Sequence, residues 1–396
     1  MNKKTLNDLS VKEKMVLVRC DFNVPQDDHG NITDDRRIKG ALKTIKYLRN
    51  EGAKVLLISH LGRPKGKSDQ KLTLKPVAKR LEELLDENVA FFSDPKVISD
   101  QTKTAVLEMK AGDVGLLENI RFRKEETDND ESFAKELASI GDLYVNDAFG
   151  TSHRAHASNV GLAKNLPSAV GFLVEKELEF FAKTLEHPKR PFVAIIGGAK
   201  VSDKIGVIKN LLGIVDQLII GGGMAYTFLK AKGYNVGKSL LEDDKIILAK
   251  ELMQNAKSEG VDLLLPVDTV VAREFSNSAE YWTVNVNSIP ENTMGLDIGQ
   301  ESVTLFNDVI QKANTIVWNG PMGVFEMSSF EHGTKAIAKS LSDSQGITII
   351  GGGDSAAAVE KFGFADRMSH ISTGGGASLE LLEGKILPGI DSIEDQ

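Results

Sequence analysis

Short apolar runs recur along the chain, and most are followed by a stretch with the spacing of an amphipathic helix. The runs are continuous rather than alternating, which is typical of parallel strands covered on both faces. The predicted strands are 15–19, 54–59, 89–92, 114–117 and 143–145, followed by 192–196, 217–220, 262–266, 315–318 and 347–350. The predicted helices are 40–50, 74–86 and 131–139, followed by 205–212, 245–258, 303–313 and 334–341. This alternation predicts an α/β fold with two doubly wound parallel-sheet lobes.

The segment 169–186, AVGFLVEKELEFFAKTLE, is strongly helical and is closed by His187-Pro188. It is either a stiff connector between two lobes, with hinges at its ends, or an ordinary packing helix. We favour the connector because composition changes here. The predicted organisation is a first lobe over 1–170, an interdomain helix over 171–187 and a second lobe over 188–388.

Charge and glycine content differ between the two lobes. The 396 residues carry a net charge of −8. Residues 1–170 hold 28 Lys+Arg against 26 Asp+Glu (+2), and the remainder holds 20 against 30 (−10). Nine of the twelve arginines lie in 1–170, and 26 of the 36 glycines lie in 171–396. Arginine suits bidentate recognition of anions, and glycine lets backbone approach a ligand closely, so two binding chemistries are expected.

Several classes of protein are disfavoured. Net negative charge argues against a nucleic-acid partner. The longest apolar stretches fall far short of the ~18 residues of a membrane span, and no secretory signal is visible. The single cysteine, Cys20, excludes an internal disulfide and a cysteine-based metal cluster. We expect a cytoplasmic protein without nucleic-acid or membrane partners, and a monomer because nothing suggests an obligate interface.

In an open parallel sheet, ligands bind at the carboxyl ends of the strands. Asp21 and Asn23 stand there after the first predicted strand, where Pro25 ends the ladder. The basic residues near such positions are Arg37, Arg63, Arg121 and Arg154, with His60 or His156. They predict one basin for a small anion that carries phosphate and carboxylate. Arg19 lies inside a strand and is expected to be a structural ion-pair partner.

Paired and triple glycines follow the predicted strands of the second lobe. Gly197-Gly198 leads to Lys200 and Lys204, which share a helical face if the helix includes both. The triplets are 221–223, 351–353 and 374–376, the last preceding a helix predicted over 377–383. Glycine amides at helix N-termini cradle anions. Asp354 and Ser355 suit Mg²⁺ and phosphate oxygens, so a nucleotide site is predicted.

Two apparent motifs are rejected. GYNVGKS at 233–239 resembles the phosphate loop GxxxxGK[ST], but it has one residue too few between its glycines and follows a helical run. His153 and His156 lack a third metal ligand nearby in the sequence. An anion basin and a phosphate cradle in separate lobes indicate phosphoryl transfer. A carboxylate acceptor would explain why no general base is evident, since it is already ionised at pH 7.

Eight segments, in order along the chain, resemble the phosphoglycerate kinase family. They are VRCDFNVP at 18–25, SHLGRP at 59–64, LLENIRF at 116–122, NDAFGTSHRAHAS at 146–158, GGAKVSDKI at 197–205, WNGPMGVFE at 318–326, GGGDSAA at 351–357 and STGGGASLE at 372–380. The resemblance implies reversible, Mg²⁺-dependent phosphoryl transfer from 1,3-bisphosphoglycerate to ADP in glycolysis, giving 3-phosphoglycerate and ATP. It also implies hinge closure of two lobes, and a C-terminal segment, 389–396, that returns to the first.

The resemblance further implies residue roles. Phosphoglycerate would be held by Asp21, Phe22, Asn23, Arg37, His60, Leu61, Gly62, Arg63, Arg121 and Arg154. The transferring phosphoryl group would meet the catalytic residues Arg37, Lys200, Lys204, Gly374 and Gly375. The nucleotide would be held by Gly197, Lys204, Gly222, Gly223, Gly295, Asn319, Glu326, Gly352, Gly353, Asp354 and Ser355. Asp354 would bind Mg²⁺ and Glu326 the ribose. Ser355 stands where threonine is frequent and Cys20 where a small aliphatic residue is, and serine keeps the hydroxyl.

Two other functions are compatible with the bare residue chemistry. A non-catalytic two-lobe protein that binds anions or nucleotides would bind ligand without forming ATP. The presence of Lys200, Lys204 and Asp354 with the glycines 374–376 favours the enzyme. A kinase for another carboxylate fits the same physics, and only the specific motifs disfavour it.

Overall fold

The computed structural model describes residues 2–396, apart from the side chains of residues 182 and 183. The chain divides into two compact units. Unit 1 comprises the residues up to Glu179 together with Ile386–Gln396, and unit 2 comprises Phe180–Lys385.

Strands alternate with helices through both units. The strands are β1 (Met15–Cys20), β2 (Lys54–Ile58), β3 (Val89–Phe92), β4 (Val114–Leu117), β5 (Leu143–Asp147), β6 (Ser168–Val170), β7 (Phe192–Ile196), β8 (Gln217–Ile220), β9 (Asp262–Leu264), β10 (Asp268–Ala272), β11 (Tyr281–Asn285), β12 (Met294–Ile298), β13 (Thr315–Asn319), β14 (Ile347–Gly351) and β15 (His370–Ile371). The α-helices are α1 (Arg36–Asn50), α2 (Lys75–Leu85), α3 (Asp100–Leu107), α4 (Lys124–Thr127), α5 (Glu131–Ala138), α6 (Leu162–Asn165), α7 (Phe172–Glu186), α8 (Ile205–Leu212), α9 (Ala225–Ala231), α10 (Ile246–Ser258), α11 (Gln300–Ile310), α12 (His332–Asp343), α13 (Gly353–Lys361), α14 (Gly375–Leu382) and α15 (Pro388–Asp391).

Unit 1 is built on a six-stranded parallel sheet in the order β3-β4-β2-β1-β5-β6. Every residue of β1 is buried, as a central strand covered on both faces requires. The chain leaves β1 toward β2 and later returns to β5 on its other side, so the sheet is doubly wound. The parallel α/β prediction is therefore confirmed. Residues 169 and 170 were expected to begin a helix, and this was wrong, because they pair with β5 as strand β6.

Unit 2 repeats the plan with a parallel sheet in the order β15-β14-β13-β7-β8-β9. Here β7 lies between β8 and β13, so the direction of winding reverses beside it. The predicted strand 262–266 ends earlier, at Leu264, and Pro266 has no N–H to extend the ladder. The hydrophobic core includes Trp318, Phe306 and Ile350, all fully buried.

A second sheet in unit 2 is antiparallel and was not predicted. Its three strands have the order β11-β10-β12. Strand β11 alternates exposed and half-buried residues, and a small core of Ala272, Leu296 and Phe330 lies beside the sheet. This sheet follows the first three strands of the unit and precedes α11, which leads back to β13 of the parallel sheet.

The division between the units falls inside α7, between Glu179 and Phe180. The first turn of the helix packs within unit 1, where Phe172 meets Tyr47 edge to face with ring centroids 5.2 Å apart. The later part packs within unit 2, where Phe180 stacks on His370 at 4.7 Å. One continuous helix therefore contributes aromatic side chains to two separate cores.

Both ends of the described chain lie in unit 1. Lys4 N donates to Glu394 O at 2.9 Å, and Lys3 Nζ lies 2.8 Å from Asp395 Oδ1. Unit 2 is thus an insertion into unit 1 along the chain. Across residues 2–396, no helix combines the length and the apolar character needed to cross a membrane.

Candidate active site

The carboxyl ends of β1, β2 and β4 bring predicted residues together in unit 1. Asp21 Oδ2 lies 2.6 Å from Nη1 of Arg37, which stands in the first turn of α1. Gly62 N donates to Asn23 Oδ1 at 2.8 Å, and Gly62 O accepts from Arg121 Nη1 at 2.9 Å. These contacts join loops from three strands. We call the following six residues the arginine basin: Asp21, Asn23, Arg37, His60, Gly62 and Arg121.

Positive charge is concentrated in the arginine basin. Burial, followed by the charges of Arg19 and Arg154, lowers the pKa of Arg121 to about 10. Burial also lowers the pKa of His60 well below its usual 6.5, and the charges of Arg19 and Arg121 add to the effect. The imidazole is therefore neutral near pH 7. An anion bound here would relieve the repulsion among the guanidinium groups.

The other predicted phosphoglycerate contacts fall into two groups. Arg63 and Arg154 are exposed, and Arg154 Nε donates to His153 Nε2 at 3.1 Å. Phe22 and Leu61 are buried, so their side chains are not available to a ligand. Their amides are bonded too, Phe22 N to Ser59 Oγ at 2.9 Å and Leu61 N to an asparagine oxygen at 3.3 Å. These two residues shape the loops rather than present a side chain.

Several polar residues that support the basin were missed from the sequence. Asn119 Oδ1 accepts from Leu61 N and from Arg121 N, so it ties together the loops after β2 and β4. Arg19 and Glu126 are fully buried, with Arg19 Nη2 4.0 Å from Glu126 Oε1. That ion pair agrees with the structural role expected for Arg19. Its partner lies 107 positions along the chain, and no local spacing could have indicated it.

In unit 2 the loops after β7, β8 and β13 meet through glycines. A Cβ on Gly197 would lie 2.1 Å from Pro321 O, and one on Gly222 would lie 2.6 Å from Gly198 N. Gly222 also has φ +66, which L side chains rarely adopt. Because the obstructing atoms are backbone, these positions require glycine. The close approach occurs at the carboxyl ends of β7 and β13, where the direction of winding reverses. Doubly wound sheets bind their ligands at such a switch point.

Beside these loops lies a cavity of about 470 Å³. Five predicted nucleotide residues line it: Gly222, Gly223, Gly295, Glu326 and Asp354. Lining residues that were not predicted include Tyr226, Lys238, Leu240, Phe275, Met294, Leu296, Met322 and Val324. Most of these are apolar and come from the antiparallel sheet and its neighbours. That sheet was not predicted from the sequence. The size and lining of this cavity fit a small ligand that has a flat apolar part.

The helix does not include Lys200 and Lys204, so the condition for a shared helical face is not met. Helix α8 begins at Ile205 with Lys204 as its N-cap, and Lys200 is exposed in the preceding loop. Ser202 N donates to Glu242 Oε2 at 3.1 Å, which holds the intervening turns. Lys204 Nζ donates to Asn319 Oδ1. Burial lowers the pKa of Lys204, and nearby carboxylates including that of Asp354 oppose the shift.

Asn319 and the start of α13 form a second group of donors. The Nδ2 atom of Asn319 is buried without a hydrogen-bond partner among the described residues. A Cβ on Gly352 would lie 3.0 Å from that atom, so the amide faces the turn that begins α13. Ser355 is fully buried, and its Oγ accepts from Gly320 N at 2.6 Å. The serine expected to contact phosphate therefore holds the loop after β13.

The last glycine triplet begins a helix two residues earlier than predicted, since α14 starts at Gly375 rather than at residue 377. Gly374 N donates to Ser372 Oγ at 3.2 Å, so that amide is already engaged. The amides that follow lack intrahelical partners because of their position in the first turn. Apart from the adjoining residues and the backbone of the same helix, no described atom lies within 4 Å of a Cβ built on Gly353 or Gly375. Both helix N-termini thus border open space.

Two doubly wound units, one with an arginine basin and one with a glycine-lined cavity beside a lysine, define a phosphotransferase of the α/β class. The phosphoglycerate kinase family model matches residues 6–385, and the chain belongs to this family. It is therefore a kinase, a transferase of glycolysis.

Relatives agree along the whole chain. The phosphoglycerate kinase of Clostridium novyi (strain NT) is 60% identical over 397 residues, covering 100% of both chains. The structure of phosphoglycerate kinase from Coxiella burnetii has a TM-score of 0.91 at 42% identity, and that of the Pyrococcus horikoshii OT3 enzyme has 0.81 at 34%. Each comparison covers 98% of both chains.

Proposed function

We propose that the chain catalyses reversible phosphoryl transfer from 1,3-bisphosphoglycerate to ADP, giving 3-phosphoglycerate and ATP. The observation that carries the proposal is the unit 2 cavity. Five residues predicted from the sequence as nucleotide contacts line it, and it lies beside Lys204 and Asn319. Family membership supplies the reaction, and the arginine basin supplies a second anion site of suitable chemistry. On the same ground we propose a cytoplasmic monomer.

The nucleotide is proposed to bind in that cavity. The adenine would lie against the glycines 222, 223 and 295 and the apolar residues opposite, with the ribose hydroxyls reaching the exposed carboxylate of Glu326. The phosphates would then extend toward Gly197 and the N-terminus of α13. There the buried Asn319 amide offers a donor that has no hydrogen-bond partner among the described residues. A helix N-terminus adds unpaired N–H groups and a favourable dipole.

The residues present fit a bound Mg²⁺. Asp354 is exposed, lies in the first turn of α13 and lines the cavity. No cluster of three candidate metal ligands exists within residues 2–396, which agrees with a cation held by one carboxylate, water and substrate phosphates. When bound, Mg²⁺ would neutralise charge that develops on the phosphate oxygens.

Phosphoglycerate is proposed to bind in the arginine basin. Arg121 is buried with its Nε unpartnered among the described residues, and Arg37 is tethered by Asp21, so both guanidinium groups are pre-oriented. Arg63 and Arg154 would close over the ligand from the exposed loops. In the direction of ATP formation the leaving group is the carboxylate of 3-phosphoglycerate and the acceptor is a phosphate oxygen of ADP. Both are ionised at pH 7, so catalysis would rest on positioning and charge neutralisation. Lys200, Lys204 and the first turn of α14 would stabilise the group in transfer.

The decisive experiment is a coupled assay of ATP formation from 1,3-bisphosphoglycerate and ADP, run with and without Mg²⁺. Acetyl phosphate serves as the matched alternative donor. ATP from 1,3-bisphosphoglycerate alone, dependent on Mg²⁺, is the expected result. Binding of ADP without turnover would identify a non-catalytic binding protein, and faster turnover of acetyl phosphate would identify a kinase for another carboxylate.

We further propose that α7 acts as the interdomain hinge helix and that transfer requires closure, which excludes water from the reacting groups. Small-angle scattering of the free chain and of the chain with 3-phosphoglycerate and a non-hydrolysable ATP analogue tests this. The radius of gyration should fall when both ligands are bound and change less with either alone. An unchanged radius would contradict closure.

A further inference from the structure

A buried arginine lies directly behind the imidazole of His60. Arg19 is fully buried in β1, and its Nη2 lies 3.2 Å from His60 Nδ1. A guanidinium group carries donors and no acceptor. The ring nitrogen that faces it must therefore offer its lone pair. In a neutral imidazole this leaves the ring proton on the other nitrogen, Nε2.

The guanidinium is held from its other side by two further buried groups. Arg19 Nε donates to Ser158 Oγ at 2.7 Å, and that hydroxyl donates to Glu126 Oε1 at 2.7 Å. Ser158 N donates to Glu126 Oε2 at 2.8 Å, so the carboxylate is itself fixed. All three residues are buried from water, which strengthens these bonds and makes each costly to leave unpaired.

We propose that Arg19, clamped by Ser158 and Glu126, is a positioning residue that fixes His60 as the Nε2–H tautomer. His60 can then donate from Nε2 to an anionic oxygen of the substrate. This inference rests on the proposed function, in which His60 contacts phosphoglycerate.

The tautomer matters because the imidazole is neutral. Burial and the surrounding arginine charges, including those of Arg121 and Arg37, lower the pKa of His60 well below 6.5. A neutral ring attracts an anion only through its N–H. With the proton on Nδ1, Nε2 would turn a lone pair toward a negatively charged oxygen and repel it. Arg19 therefore determines the sign of the interaction without touching the substrate.

Histidine ¹⁵N NMR of the full-length protein at pH 7 tests the tautomer directly. The His60 signals are assigned by their loss in His60→Gln, and exposed His29 provides a solvent-averaged reference in the same spectrum. We expect a single neutral tautomer protonated at Nε2, with that signal shifting on addition of 3-phosphoglycerate. A proton on Nδ1, an imidazolium or a tautomer mixture overturns the inference. This outcome is independent of whether ATP forms, so it is distinct from failure of the proposed function.

Ser158→Ala tests the clamp. Removing the hydroxyl breaks the hydrogen bond from Arg19 Nε and leaves only the 4.0 Å ion pair between Arg19 and Glu126. The guanidinium is then less firmly held, so we expect a mixture of His60 tautomers. The KM for 3-phosphoglycerate should rise about fivefold, as for one lost hydrogen bond, with the KM for ATP unchanged. Ser139→Ala, at an exposed serine of unit 1, is the matched control. A folded Ser158→Ala protein with the wild-type tautomer and KM overturns the clamp. If the variant does not fold, the wild-type spectrum alone decides.

Discussion

Gly375 opens α14 beside empty space, and this allows an effect on catalysis to be separated from an effect on folding. Apart from the adjoining residues and the backbone of α14 itself, no described atom lies within 4 Å of a Cβ at this position, and its φ lies outside the left-handed region. Alanine therefore fits the folded protein without strain. Because alanine loses less backbone entropy in a helix than glycine does, Gly375→Ala should stabilise the fold by up to about 1 kcal/mol.

The same substitution should damage catalysis. If the transferring phosphoryl group approaches the amides of this helix N-terminus, the added methyl group occupies its path. Alanine keeps the backbone N–H, but holding the phosphoryl group away from it should cost as much as losing one oxyanion-hole donor, about 10²-fold in kcat. We therefore expect kcat to fall by about two orders of magnitude in the coupled ATP assay, while the urea unfolding midpoint stays equal or rises.

Substitutions of two further glycines serve as controls for this experiment. Gly213 has Asn210 O at 3.6 Å from its would-be Cβ and lies at the end of α8, so Gly213→Ala should alter neither activity nor folding strongly. Gly197→Ala should destabilise unit 2, because backbone oxygens lie 2.1 Å and 2.5 Å from the new atom. Wild-type kcat in a stably folded Gly375→Ala protein would refute the assignment of this space to the phosphoryl group.

Three other predictions follow from the described geometry. In the coupled assay, Lys204→Ala and Arg37→Ala should each lower kcat, and the arginine substitution should lower it by roughly 10³-fold or more. Near wild-type turnover in both variants would contradict the roles proposed for these residues. Asp354→Asn should raise the Mg²⁺ concentration needed for half-maximal activity at least tenfold, measured by metal titration, with 3-phosphoglycerate binding unchanged. Burial raises the pKa of Asp297 to about 8, so the folded state keeps a proton that the unfolded state releases near pH 4. The free energy of unfolding, relative to that of Asp297→Asn, should therefore fall by about 1.4 kcal/mol for each pH unit between 4 and 8. Urea unfolding at several pH values measures this, and the same dependence of stability on pH in both proteins would exclude it.

The parallel sheets could be predicted because their strands are continuous apolar runs, and such runs are short enough to distinguish from helices. Three-residue β6 could not, since only Gly171 separates Ala169 and Val170 from the apolar positions of α7. The antiparallel sheet was missed for another reason. Its strand β11, YWTVN, alternates in exposure, so it does not form the continuous apolar run that marks a strand of a parallel sheet.

The candidate site likewise has residues that could be predicted from the sequence and residues that could not. Residues at strand ends could be named because a parallel sheet brings those ends together, as the bonds joining Asn23, Gly62 and Arg121 illustrate. The spacing of Lys200 and Lys204 could not show whether one helix includes both, because Glu242, from a distant loop, holds the turn that precedes α8. Supporting contacts such as Arg19 to Ser158 join residues 139 positions apart. They depend on tertiary packing that no local pattern encodes.

The pairing of the two chain ends in unit 1 has a consequence for the order of events on the ribosome. Residues 180–385 are synthesised as one uninterrupted block and can complete unit 2 as soon as they emerge. Unit 1 begins first but lacks residues 386–396 until all of unit 2 has been synthesised, including Gly389, whose N–H donates to Ser152 O at 2.8 Å. The nascent chain should therefore finish its inserted unit before its enclosing one, and a stall just after residue 385 would leave the arginine-rich unit incomplete.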